Sequence, residues 1–393
     1  METAVLVGDH DDAAIWPAAF DYTMFVLNPE PTAAEIVGLA LDAGCDYIHP
    51  GWGKLVRQSE LAGRAQVVGL RMIGPTLAHL QLAADGGRVR DLAAELEIQV
   101  VPNSDPVSDL TDAERWLSLV GYPASARWVD DIDGGWTPLP DAEAGRAILT
   151  VMLERGPVVL ERDVQAAREI EVLVAGQPSG EALTLGERDT SARVGGKRAV
   201  IESPAVGLRD EEAYGFRQAA AHLISRLRWP GLVSVRFLLT PDGRAYLLRI
   251  RPGLQPWHAV TEELLGIDLV DAQLRIAHDE ELGWKPHHFE ENGHAFCLRL
   301  MATGDAPACL LALSLPDDVR QLRGFEVGDT VTPGDELAQI VAKGPTRQAA
   351  FVRARAALEA VQVDGVSTNL EDLKALFDNE ELWGGPLDRD QFG

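Results

Sequence analysis

The stretch VSVRFLLTPDGRAYLLRIRPG, residues 233–253, has the clearest structural signature in this chain. Two runs of β-favouring residues flank Asp242-Gly243, a pair typical of the tight turn between antiparallel strands. If the strands pair in register with the turn, Arg236 and Arg249 lie on neighbouring strands with their side chains on the same face. The stretch therefore predicts a β-hairpin that concentrates arginine on one surface.

The sequence before this hairpin predicts further strands and two βα units. PVVLERDV, EIEVLVAG and EALTLGERD alternate as strands, whereas residues 32–48 and VVGLRMIGPTLAHLQLAAD each combine a short strand with a helix. Repeated βα units imply a parallel sheet with ligand-binding loops at the carboxyl ends of its strands. After the hairpin we expect one helix through Glu262–His278 and another in TRQAAFVRARAALEAVQ.

Composition and charge exclude several classes of protein. The chain of 393 residues suits two or three domains and has a formal charge of −26, which argues against general affinity for nucleic acid or anionic membranes. No apolar run approaches ~20 residues, and the N-terminus lacks a secretory pattern. The three cysteines are scattered without metal-ligand spacing. We expect a cytoplasmic protein with reduced thiols and no metal site of its own.

A series of short motifs, in order along the chain, resembles the biotin carboxylase family of the ATP-grasp superfamily. They are His49-Pro50-Gly51-Trp52-Gly53, Ile73-Gly74-Pro75, Gly121-Tyr122-Pro123, Glu187-Arg188-Asp189, Asp242-Gly243, His258-Ala259-Val260-Thr261-Glu262, Gly266-Ile267-Asp268-Leu269 and Val363-Asp364-Gly365-Val366-Ser367-Thr368-Asn369. Each motif alone is weak, but their order and spacing cover most of the chain. The first ~45 residues depart from the family pattern, because its opening Asn-Arg-Gly-Glu strand is absent.

The resemblance implies a fold of the mixed α/β and α+β kind with three parts. These are a truncated N-terminal parallel-sheet domain at 1–84, an ATP-grasp domain at 85–278 with a mobile lid subdomain at about 106–163, and a C-terminal biotin carboxylase-type domain at 279–393. Active members of the family use Mg-ATP to phosphorylate bicarbonate and pass the carboxyl group to biotin. They need carboxylate ligands for Mg²⁺, cations over the phosphates and a base for bicarbonate.

Several positions that the resemblance assigns to this chemistry are occupied by other residue types. The two metal-binding Glu positions fall on Arg236 and Arg249, and the assisting Asn falls on Arg251. A guanidinium keeps its proton and cannot ligate a cation, so we expect no bound Mg²⁺. The Arg that anchors bicarbonate falls on Gly253 and the general-base Glu falls on Trp257. We therefore identify no catalytic residue among them.

Other family positions survive or change mildly. The resemblance gives weak nucleotide-binding or substrate-binding roles to Glu161 and Arg162 at the adenine hinge, Arg127 and Arg198 at Lys positions, and the retained Gln255. Arg320 matches the Arg that helps to handle biotin, although an Arg entering a strand is more often solvated or ion-paired. Trp257 either stacks on a planar ligand or plugs the cleft.

The arginines of the hairpin admit two interpretations. Like charges placed so closely cost free energy unless carboxylates or an anion neutralise them. Asp130, Asp131 and Asp133, which replace the Gly-rich flap of the family, or else Glu202, would give a closed and ion-paired cleft. Alternatively, the arginines bind an anionic ligand without metal.

These observations lead to one main hypothesis of function and two alternatives. The main one is a non-catalytic biotin carboxylase-like protein, a structural or regulatory partner of a biotin-dependent (acyl-CoA) carboxylase system. It would pair with an active biotin carboxylase, a biotin carrier, a carboxyltransferase or a second copy of itself, and would need no cofactor. The alternatives are an active but divergent ATP-dependent ligase, the only case that requires ATP and Mg²⁺, and a metal-free sensor of an anionic metabolite.

Overall fold

The N-terminal quarter of the chain consists of short strands and helices. The computed structural model describes residues 2–8, 20–26, 31–51, 53, 55–129, 136–164, 167–284, 292–379 and 385. The elements of this first part are β1 (Ala4–Gly8), β2 (Tyr22–Val26), α1 (Ala33–Asp42), β3 (Tyr47–Ile48), a 3-10 turn (Leu55–Arg57), α2 (Ser59–Val67), β4 (Arg71–Met72), α3 (Leu77–Ala84) and α4 (Gly86–Glu95). Strands β1 and β2 pair in parallel. Strands β3 and β4, which belong to the two βα units predicted from the sequence, also pair in parallel.

A small α/β unit follows and carries the predicted adenine hinge. Its elements are α5 (Leu110–Val120), β5 (Ala124–Trp128), β6 (Thr137–Leu139), α6 (Ala142–Arg155) and β7 (Val158–Arg162). The three strands form an antiparallel sheet in the order β6-β5-β7, and its core includes Leu117, Leu139 and Leu149. Asp109 and Asp141 cap the two helices by accepting hydrogen bonds from backbone N–H groups of their first turns.

The central region is built on long strands and carries the hairpin. Its elements are β8 (Arg168–Gly176), β9 (Ala182–Asp189), β10 (Arg193–Val194), β11 (Lys197–Arg198), β12 (Val200–Ser203), α7 (Asp210–Leu227), β13 (Gly231–Leu239), β14 (Ala245–Pro252), a 3-10 turn (Pro256–His258), α8 (Ala259–Leu265) and α9 (Leu269–Ala277). The single helix expected through Glu262–His278 is wrong. Gly266 takes a left-handed conformation with φ +66° and separates α8 from α9.

The last region adds β15 (His294–Met301), β16 (Ala308–Cys309), β17 (Ala312–Ser314), β18 (Arg320–Arg323), β19 (Thr330–Val331), β20 (Glu336–Gly344), α10 (Arg347–Ala360), β21 (Gln362–Asp364) and α11 (Leu370–Asp378). One antiparallel sheet of eight strands, in the order β14-β13-β8-β9-β12-β15-β20-β18, runs across the boundary predicted at residue 278. Within the described ranges, no helix is long and apolar enough to cross a membrane.

The two faces of the central strands differ in character. Ile170, Val172 and Val235 point toward α7 and belong to a large apolar core with Phe216 and Trp229. The alternate positions of the same strands point to the opposite face, because successive side chains of a strand alternate. That second face carries charged side chains where β8, β13 and β14 run side by side, and it forms the floor of the candidate site.

Candidate functional site

The hairpin places its arginines as the sequence predicts. Arg236 on β13 and Arg249 on β14 are direct partners across the antiparallel pair, so both side chains project from the same face. Arg251 lies two residues after Arg249 and shares this face. Together with Arg198 of β11 these residues are called the arginine cluster below.

One buried carboxylate, Glu171, neutralises the centre of the cluster. Glu171 on β8 stands opposite Arg236 on one side and opposite Arg188 of β9 on the other. Its Oε2 accepts from Arg236 Nε at 2.7 Å, while its Oε1 accepts from Arg188 Nη2 at 2.6 Å. The side chains of Glu171 and Arg236 are 0% and 3% exposed. Glu171 is thus an internal counter-ion held between two strands.

Trp257 completes this arrangement from the turn before α8. Its indole Nε1 donates to Glu171 Oε1 at 2.9 Å, and the residue is only 4% exposed. The Cζ atoms of Arg198, Arg236 and Arg299 lie 5.9, 5.5 and 5.4 Å from the centroid of its ring. Such contacts are worth ~0.5–2 kcal/mol each. The indole fills the site between three guanidiniums, which agrees with the plugging interpretation.

Two further carboxylates bind the outer members of the cluster. Glu161 of β7 pairs with Arg249 at 3.1 Å and so links the small α/β unit to the hairpin. Trp136 reinforces this link, because its ring lies 4.8 Å from the Cζ of Arg249 and 5.3 Å from that of Arg127. Glu161 and Arg127, both expected near the nucleotide, thus contribute to one contact between hinge and hairpin.

Glu169 serves the other side of the cluster. It lies two residues before Glu171 on β8 and is buried. One of its oxygens forms an ion pair with Arg198, and the other accepts from Arg193 at 2.6 Å. The retained Gln255 accepts a hydrogen bond from Arg236 Nη2 at 3.4 Å. Arg198, Arg236, Gln255 and Trp257 are therefore brought together.

Arg251 differs from the other members of the cluster. Among the described residues, no carboxylate forms an ion pair with it, and its buried Nε has no hydrogen-bond partner. The loop after β14 brings a further cation close to Arg251. Gly253 (φ +71°) packs on Val56, and the positive charge of the adjacent Arg57 lowers the pKa of Arg251. A Cβ at Gly253 would lie 2.4 Å from the Val56 side chain, so this chain leaves no room there for the anchoring Arg of the family.

The pKa values follow from this distribution of charge. Burial alone would raise the pKa of Glu171, but Arg188 and Arg236 lower it to about 2. Burial and the nearby Arg198 lower the pKa of Arg236 to about 10, against the attraction of Glu171. Burial and four neighbouring guanidiniums lower the pKa of Arg251 to about 8. Two guanidiniums share Glu171, so the carboxylates that the structure describes around the cluster leave an excess of positive charge.

Two residues with predicted binding roles, Arg320 and Arg162, do not join the arginine cluster, and Glu202 is not one of its counter-ions. Arg320 pairs with Glu262 at 2.5 Å, and Arg162 is exposed at the end of β7. The expectation that Glu202 neutralises the cluster is wrong. Glu202 accepts instead from His294 at 2.7 Å and from Arg347 at 2.5 Å, which β15 and α10 bring to it.

The remaining candidates for neutralising the cluster, Asp130, Asp131 and Asp133, lie outside the described residues, as does Trp52. Sequence reasoning missed Glu169 and Glu171, which supply the carboxylates that Glu202 does not. The available signal was the string EIEVLVAG, in which two Glu at alternate positions interrupt an otherwise apolar strand. Charges on one face of a buried strand need partners, and the arginines of the next strands provide them.

Comparisons with known proteins place this chain in a family. The sequence profile described as "Biotin carboxylase, N-terminal domain" matches residues 9–80. The profile described as "Carbamoyl-phosphate synthase L chain, ATP binding domain" matches residues 85–285, slightly more than half of the chain. The chain belongs to the ATP-grasp biotin carboxylase family. The first match begins at residue 9, so the family resemblance reaches further toward the N-terminus than the motifs from residue 45 indicate.

Similar proteins agree with this assignment. Biotin carboxylase 2 of Bacillus subtilis is 29% identical over 356 residues, covering 86% of this chain and 80% of that protein. The 2-oxoglutarate carboxylase small subunit of Hydrogenobacter thermophilus is 25% identical over 386 residues, covering 92% and 81%. The biotin-dependent acyl-coenzyme A carboxylase alpha3 subunit of Mycobacterium leprae is 28% identical over 371 residues, covering 89% and 62%.

A solved relative supports the fold across the whole chain. The biotin carboxylase domain dimer of the Hydrogenobacter thermophilus 2-oxoglutarate carboxylase, in complex with MgADP, ADP and bicarbonate, superimposes with a TM-score of 0.91. The match covers 99% of this chain and 91% of the other at 23% identity. This biotin carboxylase-like chain therefore has the ATP-grasp biotin carboxylase fold.

Mg²⁺ does not fit the side chains present on the hairpin of this family member. Mg²⁺ requires oxygen ligands, whereas Arg236, Arg249 and Arg251 present only N–H donors and positive charge. The carboxylate that pairs with Arg236, Glu171, already accepts three hydrogen bonds from arginine and tryptophan. Among the described residues, no group of three or more His, Cys, Asp and Glu side chains is arranged to hold a metal ion.

Proposed function

We propose that this protein is a non-catalytic biotin carboxylase-like subunit, a structural or regulatory partner in a biotin-dependent carboxylase system. The observation that carries the proposal is the contact between Trp257, Glu171 and Arg236. The position of the family's general base holds an indole, and that indole is buried and donates to Glu171 at 2.9 Å. Neither an indole nor a carboxylate with pKa about 2 accepts a proton from bicarbonate near neutral pH.

The charge of the site also opposes the family's chemistry. Phosphoryl transfer needs divalent cations between the phosphates, and the cluster offers fixed guanidiniums in place of metal ligands. The retained hinge residue Glu161 is also engaged, because its carboxylate forms an ion pair with Arg249. An active divergent ligase would need a second pair of free carboxylates facing the cleft, and the three carboxylates described around the cluster are each engaged by arginine.

A role as a partner follows from the nature of the relatives. Two of them are named as subunits of biotin-dependent or 2-oxoglutarate carboxylases, and the solved relative is a dimer of biotin carboxylase domains. A chain with this fold that lacks the reactive groups would act through contacts of the same kind. The partner would be an active biotin carboxylase, a biotin carrier, a carboxyltransferase or a second copy of this chain.

Affinity purification from the native cell tests this role. The tagged full chain is purified from its own organism, and the co-purifying proteins are identified by mass spectrometry and by a streptavidin blot for biotinylated carrier. We expect a carboxylase component to be enriched at a constant ratio through gel filtration. The control is an unrelated tagged protein expressed at the same level. If no carboxylase component exceeds the control and the chain elutes as a monomer, the proposed role is wrong.

A further inference from the structure

The arginine cluster carries more positive charge than its described carboxylates balance. Arg236, Arg249 and Arg198 each form an ion pair with one described carboxylate, namely Glu171, Glu161 and Glu169. Two of these carboxylates are shared, since Glu171 also binds Arg188 and Glu169 also binds Arg193. The fourth member, Arg251, has no ion-pair partner among the described residues. The imbalance is therefore localised at Arg251.

A charge in this position is costly to keep. Arg251 stands opposite Ser234 on β13, and its Nε is buried without a hydrogen-bond partner. Arg236, Arg249, Arg57 and Arg198 all repel it, and together with burial they lower its pKa to about 8. A guanidinium nevertheless holds its proton inside proteins, so loss of the proton is a poor way to relieve the repulsion. A bound anion relieves it directly.

We propose that Arg251, with Arg249 and Arg57 beside it, forms a metal-independent binding site for an oxyanion, either a phosphate or a carboxylate group. The planar fork of a guanidinium matches the oxygens of both groups and binds them in a bidentate manner. Arg251 retains partial exposure, and Arg249 is one-quarter exposed, so the site is reachable from solvent. The site would occupy the hairpin positions at which the family resemblance predicts metal ligands.

Anion binding at Arg251 is separable from the proposed function. It shares with that function only the exclusion of Mg²⁺, and anion binding by the isolated chain needs no partner subunit. The phosphate group has two possible sources, free phosphate or a nucleotide. Separate arms with inorganic phosphate, malonate and ADP, all in EDTA, distinguish a phosphate from a carboxylate and a free anion from a nucleotide.

Thermal melting and calorimetry of the full chain test the site. Potassium phosphate, compared with potassium chloride at the same ionic strength, should raise the melting temperature of the wild type, because a ligand that binds only the folded state stabilises it. Arg251→Gln should bind phosphate about tenfold or more weakly and melt at or above the wild-type temperature without phosphate. Arg251→Lys keeps the charge without the fork and should bind with intermediate affinity.

The matched control is Arg244→Gln at the turn end of the same hairpin. Arg244 is exposed and pairs with Asp242, so this variant should respond to phosphate as the wild type does. A response to phosphate, malonate or ADP that disappears with Arg251→Gln supports the site. The proposal is overturned if the wild type responds to none of the three beyond chloride, or if Arg251→Gln and Arg251→Lys respond fully. A response that appears only after Asp130, Asp131 and Asp133 are changed to Asn also overturns it, because those residues then neutralise Arg251 internally.

Discussion

Replacement of Glu171 by Gln is expected to be the most destabilising isosteric change at the site. The glutamine keeps the shape of the side chain but removes the charge that Arg188 and Arg236 share at 2.6 and 2.7 Å. Both guanidiniums would remain buried without their counter-ion, a loss that typically costs ~3–5 kcal/mol. The pKa gives a similar magnitude, because a decrease from 4.5 to about 2 corresponds to roughly 3 kcal/mol.

Urea unfolding of the Glu171→Gln variant measures this loss. We expect the free energy of unfolding to fall by about 3 kcal/mol without a change in the urea dependence. The matched control is Glu95→Gln, which makes the same chemical change in an exposed ion pair with Arg226 and should cost at most ~1 kcal/mol. A loss for Glu171→Gln no larger than that of Glu95→Gln would refute the view that Glu171 is the buried counter-ion of the cluster.

The same distribution of charge governs the response of the protein to loss of Arg249, to Mg-ATP and to acid. Arg249→Ala should lower the free energy of unfolding by only ~1 kcal/mol, because the side chains of Arg249 and Glu161 are 25% and 14% exposed. A loss above ~3 kcal/mol in urea unfolding would contradict this. Mg-ATP should bind weakly or not at all. A micromolar dissociation constant in calorimetry that decreases further when Mg²⁺ is added would contradict the claim that the hairpin arginines exclude Mg²⁺. Since the pKa of Glu171 is lowered to about 2, its contribution to stability should be complete above pH 4.5 and disappear as the pH falls toward 2. The loss of stability over this pH range, followed by urea unfolding, should be smaller in Glu171→Gln than in the wild type.

The fold was readable from the sequence because its signals are local or ordered along the chain. Asp242-Gly243 and the β-rich runs around it determine the hairpin, and the pairing of Arg236 with Arg249 follows from the turn. The successive family motifs indicate the ATP-grasp biotin carboxylase fold. The break between α8 and α9 was missed because Gly266 lies inside an otherwise helical pattern, where a single glycine is often tolerated.

The partners of the arginines were less predictable because they depend on the order of strands in the sheet. Glu171 meets Arg236 only because β8 pairs with β13, although the two residues are 65 positions apart. Glu202 was wrongly expected to join them, since the sequence does not reveal that α10 delivers Arg347 to it across 145 positions. Residue types alone could therefore predict that the cluster needs carboxylates but not which ones.

Bicarbonate-dependent ATP hydrolysis with free biotin tests the central claim most directly. The purified full chain is assayed with Mg-ATP, bicarbonate and biotin beside a heat-inactivated sample and the Arg249→Ala variant. Because an indole and arginines stand where the family resemblance places the base and the metal ligands, we expect the wild type, the variant and the inactivated sample to give the same rate. A biotin-dependent rate well above the inactivated sample that is lost in Arg249→Ala would contradict the claim that this chain is non-catalytic.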